Sequence, residues 1–294
     1  GFRGQSNGGF QLNLWIPDPP PQRDAAAEAK TRDFLSHWGP PVAATAGDTT
    51  PPNFAAQCDA LIAAGPRAVS SIMGLFPAPY IERLKAHGIA WFATVTTLAE
   101  ALEAQKAGAN AIVAQGIEAG GHRGAFDPAA ADRQSIGLLA LLPILADRLS
   151  IPVIATGGIA DGRGVAAALI LGASAVQIGT AFLRAPEAGI SPAWANALAT
   201  VPPEGTLATR AFSGRLGRAI ATDYACAAAA PDAPAPAPYP VQRGLTQAMR
   251  DQAARNNDLS RMQAWAGQAA MLARAEPAAE IARRVWAETE ALLR

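Results

Sequence analysis

The sequence predicts an α/β fold in which parallel strands alternate with helices. Short, continuously apolar runs recur along the chain, and such runs are typical of strands that are buried on both faces. Helical patterns end at Gly108 and at Gly172, and each glycine leads directly into a new apolar run. The repeated joint indicates βα units in series. Pattern alone fits either a (β/α) barrel or a doubly wound sheet.

The first predicted strand covers residues 10–15 and ends at a cluster of prolines, which lack the backbone donor that a sheet requires. The helices with the clearest ends cover residues 25–38, 97–108 and 162–171. In the second of these, Thr97 and Glu100 have the spacing of a capping box. The remaining predicted strands cover residues 68–73, 90–95, 111–115, 153–156 and 175–179.

The C-terminal part of the chain differs in composition. An alanine- and proline-rich stretch over residues 227–240 is expected to be extended and semi-rigid. We therefore expect a (β/α) barrel over residues 1–226, a proline-rich connector over residues 227–240, and a helical segment over residues 241–294 packed on the barrel. Helices are predicted in that segment over residues 245–255, 259–274 and 278–294.

Composition argues against several classes of partner. The chain has 294 residues, half of them hydrophobic, which is enough for one large core or two modest ones. Its 24 basic and 24 acidic residues cancel, so we expect neither nucleic acid nor an anionic membrane as a partner. The spacing of Cys58 and Cys226 suits neither a metal site nor a disulfide framework. We expect free thiols, no metal, no signal peptide or membrane span, and a cytoplasmic location.

A glycine-rich loop over residues 115–124 contains one histidine and follows the strand predicted over residues 111–115. The loop leaves the carboxyl end of that strand, which is where α/β folds place their active sites. An imidazole has a pKa near neutrality, so His122 is a candidate base. A structural histidine that is hydrogen-bonded within the loop is the alternative. Arg123 is expected either to hold an anion or to lie in solvent.

Two further turns indicate a phosphate site. Residues 154–162 place two glycines between a strand and a helix, and residues 177–180 end the next strand with a carboxamide, a glycine and a hydroxyl. Backbone amides in such turns, and at the N-terminus of the helix, bind anions without a lysine. The three lysines of the chain lie elsewhere. We expect a cofactor phosphate held mainly by backbone donors, with simple tight turns as the alternative.

The same segments carry a resemblance to a known family. Over nearly its whole length the sequence closely resembles the nitronate monooxygenases, through residues 115–124, 152–162, 172–180, 212–215, 239–240, 245–246 and 265–268. Members are FMN enzymes on a TIM-type (β/α) barrel that oxidise alkyl nitronates with O₂ to carbonyl compounds and nitrite. The resemblance therefore implies FMN as cofactor, and a nitronate or nitroalkane and O₂ as partners. Oligomeric state is open, with a homodimer as one option.

Carried over by position, the resemblance makes His122 the catalytic base near the flavin. The FMN-binding residues that it implies are Asn13, Gln115, Gly120, Gly158, Gln177, Ile178, Gly179 and Thr180. Trp265 is expected in the core, because an aromatic side chain at helical spacing usually packs inside. Ser213 and Arg215 are expected either to line the pocket or to form a turn with a solvated arginine.

Two other functions stay open on the sequence. A flavin-dependent enoyl-acyl carrier protein reductase, which uses NAD(P)H, shares the loop around His122, although Arg123 and residues 265–268 favour the monooxygenase. A non-catalytic flavin- or phosphate-binding barrel is the other option. The sequence also departs from the family at its amino end. It opens at what corresponds to the third strand, so we expect six barrel strands without the first two β/α units.

Overall fold

The computed structural model describes residue 4 and residues 6–294, and a parallel sheet is its main element. The strands are β1 (Gln11–Trp15), β2 (Ala68–Ile72), β3 (Ala90–Val95), β4 (Ala111–Gln115), β5 (Gly121–His122), β6 (Val153–Thr156), β7 (Ala175–Gln177), β8 (Thr206–Thr209) and β9 (Gly217–Ile220). Six of them form the parallel sheet in the order β1-β2-β3-β4-β6-β7. The α/β class and the six expected strands are confirmed. Within the described residues, β1 and β7 each pair with one neighbour, so the sheet is an open section of a barrel.

Helices separate the parallel strands along the chain and follow the last of them. They are α1 (Ala25–Ser36), α2 (Phe54–Ala64), α3 (Ala78–Ala86), α4 (Leu98–Ala107), α5 (Leu138–Arg148), α6 (Gly162–Ile170), α7 (Pro192–Leu198), α8 (Asp223–Ala227), α9 (Val241–Leu245), α10 (Gln247–Arg255) and α11 (Ala278–Leu292). The predicted capping box is present in α4, since Thr97 accepts from the Glu100 amide while the Glu100 carboxylate accepts from the Thr97 amide.

The main core lies between the sheet and helices α3 to α6. Its largest fully buried members include Trp91 on β3, Leu84 on α3 and Leu142 on α5. The one polar atom of the Trp91 ring is satisfied, because its Nε1 donates to the Ser71 hydroxyl at 3.0 Å. Strands with both faces covered explain the continuous apolar runs in the sequence. This packing fixes the carboxyl ends of the strands at one face of the molecule.

A small antiparallel sheet crosses that face, and the sequence did not predict it. Its order is β5-β9-β8, with His122 of β5 paired to Gly217 of β9. Gly217 has no room for a side chain, because an added Cβ would lie 2.9 Å from the ring of Trp265. The histidine loop is therefore an element of a sheet rather than a free loop.

The C-terminal segment packs on the rest of the chain but is less helical than expected. Residues 259–274 hold two short 3₁₀ turns and irregular backbone instead of the predicted helix. A bridge from Trp265 to Ala219 and a hydrogen bond from the Gly267 amide to Thr180 Oγ1 at 3.0 Å draw this segment towards the sheet. Residue 227 ends α8 and residues 228–233 form turns, so this part of the stretch is not extended as expected. Residues 234–240 hold no helix or strand, yet they pack closely: a Cβ on Gly214 would lie 2.5 Å from the Ala237 carbonyl oxygen.

In the part of the chain that the structure describes, no helix has the length and apolar character needed to cross a membrane.

Candidate active site

The carboxyl ends of the parallel strands open onto a cleft that brings most of the predicted site residues together. His122 lines it together with Asn13, Gln115, Gly120, Gly158, Gln177, Gly179 and Thr180. The exception is Ile178, whose side chain packs against the core between the sheet and the helices. Successive side chains at a strand end point to opposite faces, so Gln177 at the end of β7 faces the cleft and the next residue, Ile178, points away from it. Only the backbone of Ile178 is left to face a ligand.

The ring of His122 is held on three sides. Its centroid lies 4.7 Å from that of Trp15, edge to face at 86°, and 4.8 Å from that of Trp265. Its Nε2 lies 2.7 Å from Ser213 Oγ. Among the residues that the structure describes, Nδ1 has no hydrogen-bond partner. One ring nitrogen is therefore fixed by the protein, and the other is left for a ligand.

Burial and two positive charges keep this imidazole neutral. Burial is the largest cause, and the charges of Arg215 and Arg243 add to it, so that the pKa of His122 falls from its ordinary 6.5 to about 3. Arg243 is exposed, and within the described residues no carboxylate pairs with its guanidinium. The cleft thus combines a neutral ring with a positive potential.

Next to Ser213, an ion pair between a buried arginine and a partly exposed aspartate joins two segments that are far apart in the sequence. Arg215 is 3% exposed; its Nε donates to Asp18 Oδ2 at 2.7 Å, and its Nη2 contacts the other oxygen of the same carboxylate. The Arg215 amide donates to the Ser213 hydroxyl at 3.3 Å. The solvated arginine that was one sequence expectation is therefore wrong. Arg215 ties the segment after β1 to the turn that holds His122.

Arg123 is buried too, at 5% exposure, so the expectation that it lies in solvent is wrong. Its guanidinium donates to the carbonyls of Gln115 at 2.6 Å and Gln134 at 2.9 Å, and burial lowers the pKa of Arg123 to about 10. The Gln115 side chain fastens the loop from the other side, donating to the His122 carbonyl at 3.0 Å and accepting from the Gly124 amide at 2.8 Å. These bonds hold the loop around His122 in one shape.

The two glycine-rich turns after β6 and β7 lie next to each other and present free donors. Within the described residues, the amides of Gly158, Gly179 and Thr180 have no protein acceptor. A Cβ on Gly179 would meet no atom within 4 Å, so this turn faces open space. Unpaired amides around open space are suited to an anion.

The N-terminus of α6 does not add to these donors, contrary to the sequence expectation. The Gly162 amide donates to Glu288 Oε2 of α11 at 3.0 Å. The amides of Arg163 and Gly164 donate to the capping carboxylate of Asp161. The first amides of α6 are therefore already satisfied, and an anion in the cleft depends on the turns.

Comparison with known proteins agrees with this geometry. The family model described as nitronate monooxygenase matches residues 4–288. The chain belongs to the nitronate monooxygenase family. Relatives named nitronate monooxygenase from Paraburkholderia phytofirmans and Pseudomonas aeruginosa are each 40% identical, the first over 95% of this chain and 77% of its own length, the second over 97% and 83%. The solved structure of a nitroalkane oxidase from Streptomyces ansochromogenes has a TM-score of 0.85 and 34% identity, and covers 98% of this chain and 82% of its own.

Nitronate monooxygenases are flavin-dependent oxidoreductases, so the protein is an enzyme of that class. The cleft has donors of the kind that a flavin phosphate needs, in the free amides of Gly179 and Thr180 beside open space. Asn13 adds a polar group on the opposite wall; its Oδ1 accepts from the Ser70 hydroxyl at 2.8 Å, and its NH₂ has no acceptor in the described part of the chain. The donor set fits a flavin.

Sequence reasoning missed side chains that surround His122. Trp15 is the last residue of β1, and its place at the carboxyl end of a strand is a signal that could have found it. Ser213 was considered only as a pocket or turn residue. Asp18 lies among prolines, where nothing in the sequence indicates its partner. Trp265 packs on Phe212 as a core residue would, but it also contacts the His122 ring.

Proposed function

We propose that the protein oxidises alkyl nitronates with O₂ to a carbonyl compound and nitrite, with FMN as its cofactor. Neutral nitroalkanes are accepted when His122 removes the proton next to the nitro group. One observation carries the proposal: a neutral imidazole with one unpaired nitrogen lines a cleft whose other end has free backbone amides. Family membership supports the same chemistry.

The hydrogen bonds around Ser213 favour the tautomer that a base needs. Ser213 has one hydrogen to donate, and the Arg215 carbonyl lies 3.3 Å from its Oγ. If that hydrogen goes to Arg215, then His122 must donate from Nε2 across the 2.7 Å bond. Nδ1 then carries the lone pair and faces the ligand. Ser213 acts here as a positioning residue, because it orients the ring without touching the reacting carbon.

The charges near the cleft favour an anionic substrate. A nitronate is negative, whereas its parent nitroalkane is neutral. The free guanidinium of Arg243 attracts the anion, and the same positive charge weakens His122 as a proton acceptor. A base whose pKa is about 3 is far from the optimum for catalysis near neutral pH. We therefore expect preformed nitronates to be better substrates than nitroalkanes.

The proposed cofactor contacts follow from the free donors and the lining of the cleft. The amides of Gly158, Gly179 and Thr180 would hold the phosphate, with Gln177 beside them. Asn13 and the backbone of Gly120 would contact the ring system on the opposite side. Gln115 lines the cleft, but its carboxamide is already engaged with the His122 loop, so its main effect is to shape the site. When bound, FMN supplies the electron transfer that nitronate oxidation requires.

The proposal is tested with purified protein loaded with FMN. We expect nitrite to be released from ethyl nitronate in air, with O₂ consumed and without NAD(P)H. The Ser213→Ala variant is the test of positioning, because it removes the hydroxyl and leaves the base. It should lower kcat for nitroethane by about tenfold, since a mobile ring is less well placed for proton transfer. An unchanged kcat would show that Ser213 does not position His122 for proton transfer.

The two alternatives give different results in the same experiment. A flavin-dependent enoyl-acyl carrier protein reductase would oxidise NAD(P)H with an enoyl thioester and release no nitrite. A non-catalytic barrel would bind FMN, which is visible in its absorption spectrum, and turn over neither substrate.

A further inference from the structure

A second cavity adjoins the cleft, and the proposed chemistry does not use it. It has a volume of about 830 Å³ and lies at the carboxyl end of β1; Trp15 lines it and His122 does not. Asn13 and Trp15 line both spaces, so the two adjoin each other. Trp15 contacts Tyr239 at a ring-centroid distance of 5.4 Å, and Tyr239 also lines the cavity. We call this cavity the proline chamber, after the prolines at positions 17, 19–21, 51, 52 and 240 that line it.

The proline chamber is mainly apolar, and its charged groups are paired. Arg23 donates to both oxygens of the Glu28 carboxylate and contacts Asp48 as well. Asp18 is held by Arg215. Pairing leaves these groups little capacity to bind a second charge, whereas prolines, Phe54 and Leu14 offer apolar surface. Such a space favours an uncharged, apolar ligand.

We propose that the proline chamber binds the alkyl chain of the substrate, so that the enzyme prefers nitronates with long unbranched chains. The inference deepens the proposed function and rests on it. The head of the substrate lies beside His122, and the chain passes Trp15 and Tyr239 into the chamber. A short nitronate reaches only the cleft and leaves the chamber filled with water.

Chain length then sets the rate in a predictable way. Each methylene group moved from water into an apolar space improves binding by roughly fourfold. The gain appears in kcat/KM, because it applies to substrate and transition state alike. For the unmodified enzyme, kcat/KM should rise steeply across the series of ethyl, butyl, hexyl and octyl nitronate. A flat or falling series would overturn the proposal.

One pair of variants tests whether the alkyl chain binds in the proline chamber. Gln57 on α2 lines the proline chamber, and Gln57→Trp adds bulk there. Ala60→Trp is the matched control, since it adds a tryptophan to an exposed position of the same helix. We expect Gln57→Trp to lower the ratio of kcat/KM for octyl over ethyl nitronate by at least roughly tenfold. Ala60→Trp should leave that ratio unchanged. An equal ratio in both variants would overturn the proposal.

Binding without turnover separates this inference from the proposed function. Alkyl carboxylates have a planar, negative head like that of a nitronate and are not oxidised at this site. Titration calorimetry on the FMN-loaded protein should show affinity that rises roughly fourfold per methylene from butanoate to octanoate, and Gln57→Trp should abolish the rise. If no nitronate gives nitrite but affinity still rises with chain length, the proposed reaction is wrong and the assignment of the chamber to an alkyl chain is right. If nitrite is released but affinity does not depend on length, the chamber assignment is wrong.

Discussion

Replacing His122 by Asn separates proton removal from oxidation. Asparagine is short and polar and keeps a donor for Ser213, but it accepts no proton at any physiological pH. The base is needed for nitroethane and not for ethyl nitronate, whose proton is already gone. Loss of a general base lowers turnover by about 10² to 10⁴-fold, so kcat/KM for nitroethane should fall by at least about 10²-fold, or about 2.7 kcal/mol of barrier.

The same variant should affect ethyl nitronate far less. The substitution also removes the ring contacts with Trp15 and Trp265, so some loss of positioning is expected, on the order of tenfold or less. The assay is nitrite release from each substrate by wild-type and variant protein at equal FMN content. Similar losses on the two substrates would refute the role of His122 as a base and leave it a structural residue.

Four further predictions follow from the contacts around the site. Asp18→Asn leaves the buried charge of Arg215 without its partner, so the free energy of unfolding in urea should drop by about 2 to 4 kcal/mol. A drop of less than about 0.5 kcal/mol would mean that this ion pair is exposed to solvent. Arg243→Met should raise KM for ethyl nitronate by about fivefold with little change in kcat. Added salt should reduce the difference in KM between wild-type and variant protein, and equal KM values without added salt would show that Arg243 does not attract the anion. Gly179→Ala puts a methyl group into the open space of the turn, so it should weaken FMN binding by about tenfold or more. The free energy of unfolding of the apoprotein should change by less than about 0.5 kcal/mol, and an unaltered affinity for FMN would place the phosphate elsewhere. Finally, the pKa of His122 is lower in the folded than in the unfolded protein, so the contribution of His122 to stability is complete above about pH 6.5 and is lost as the pH falls towards about 3. Between about pH 7 and pH 4, the free energy of unfolding of wild-type apoprotein should therefore fall by about 3 kcal/mol more than that of His122→Asn. Parallel plots of this free energy against pH for the two proteins would contradict the depressed pKa.

The strands of the parallel sheet could be predicted because the residues that indicate each strand are close together in the sequence. Each predicted strand of the parallel sheet begins or ends within two residues of the observed one, since an apolar run and the glycine before it are read from the sequence directly. The capping box at Thr97 is local as well. By contrast, β5 has two residues and forms only because β9 lies beside it. No pattern of its own could predict it.

Long-range contacts explain the other errors. Trp265 and its neighbours have helical spacing, but a bridge to Ala219 and the Gly267 hydrogen bond hold residues 259–274 in irregular backbone. Arg215 and Asp18 are separated by 197 positions, so nothing near either residue indicates the ion pair. The place of His122 beside the strand ends could be predicted because its glycine loop and strand are adjacent in sequence. Its positioning by Ser213 and Trp15 needed the fold.

In the function that we propose, this cleft oxidises nitronates with a bound FMN. The most direct measurement is the yield of nitrite from ethyl nitronate by the purified, FMN-loaded protein in air, in the absence of NAD(P)H, with the aldehyde measured in the same sample. We expect nitrite and acetaldehyde in equal amounts. Flavin-loaded protein that releases no nitrite, but oxidises NAD(P)H with an enoyl thioester, would contradict it.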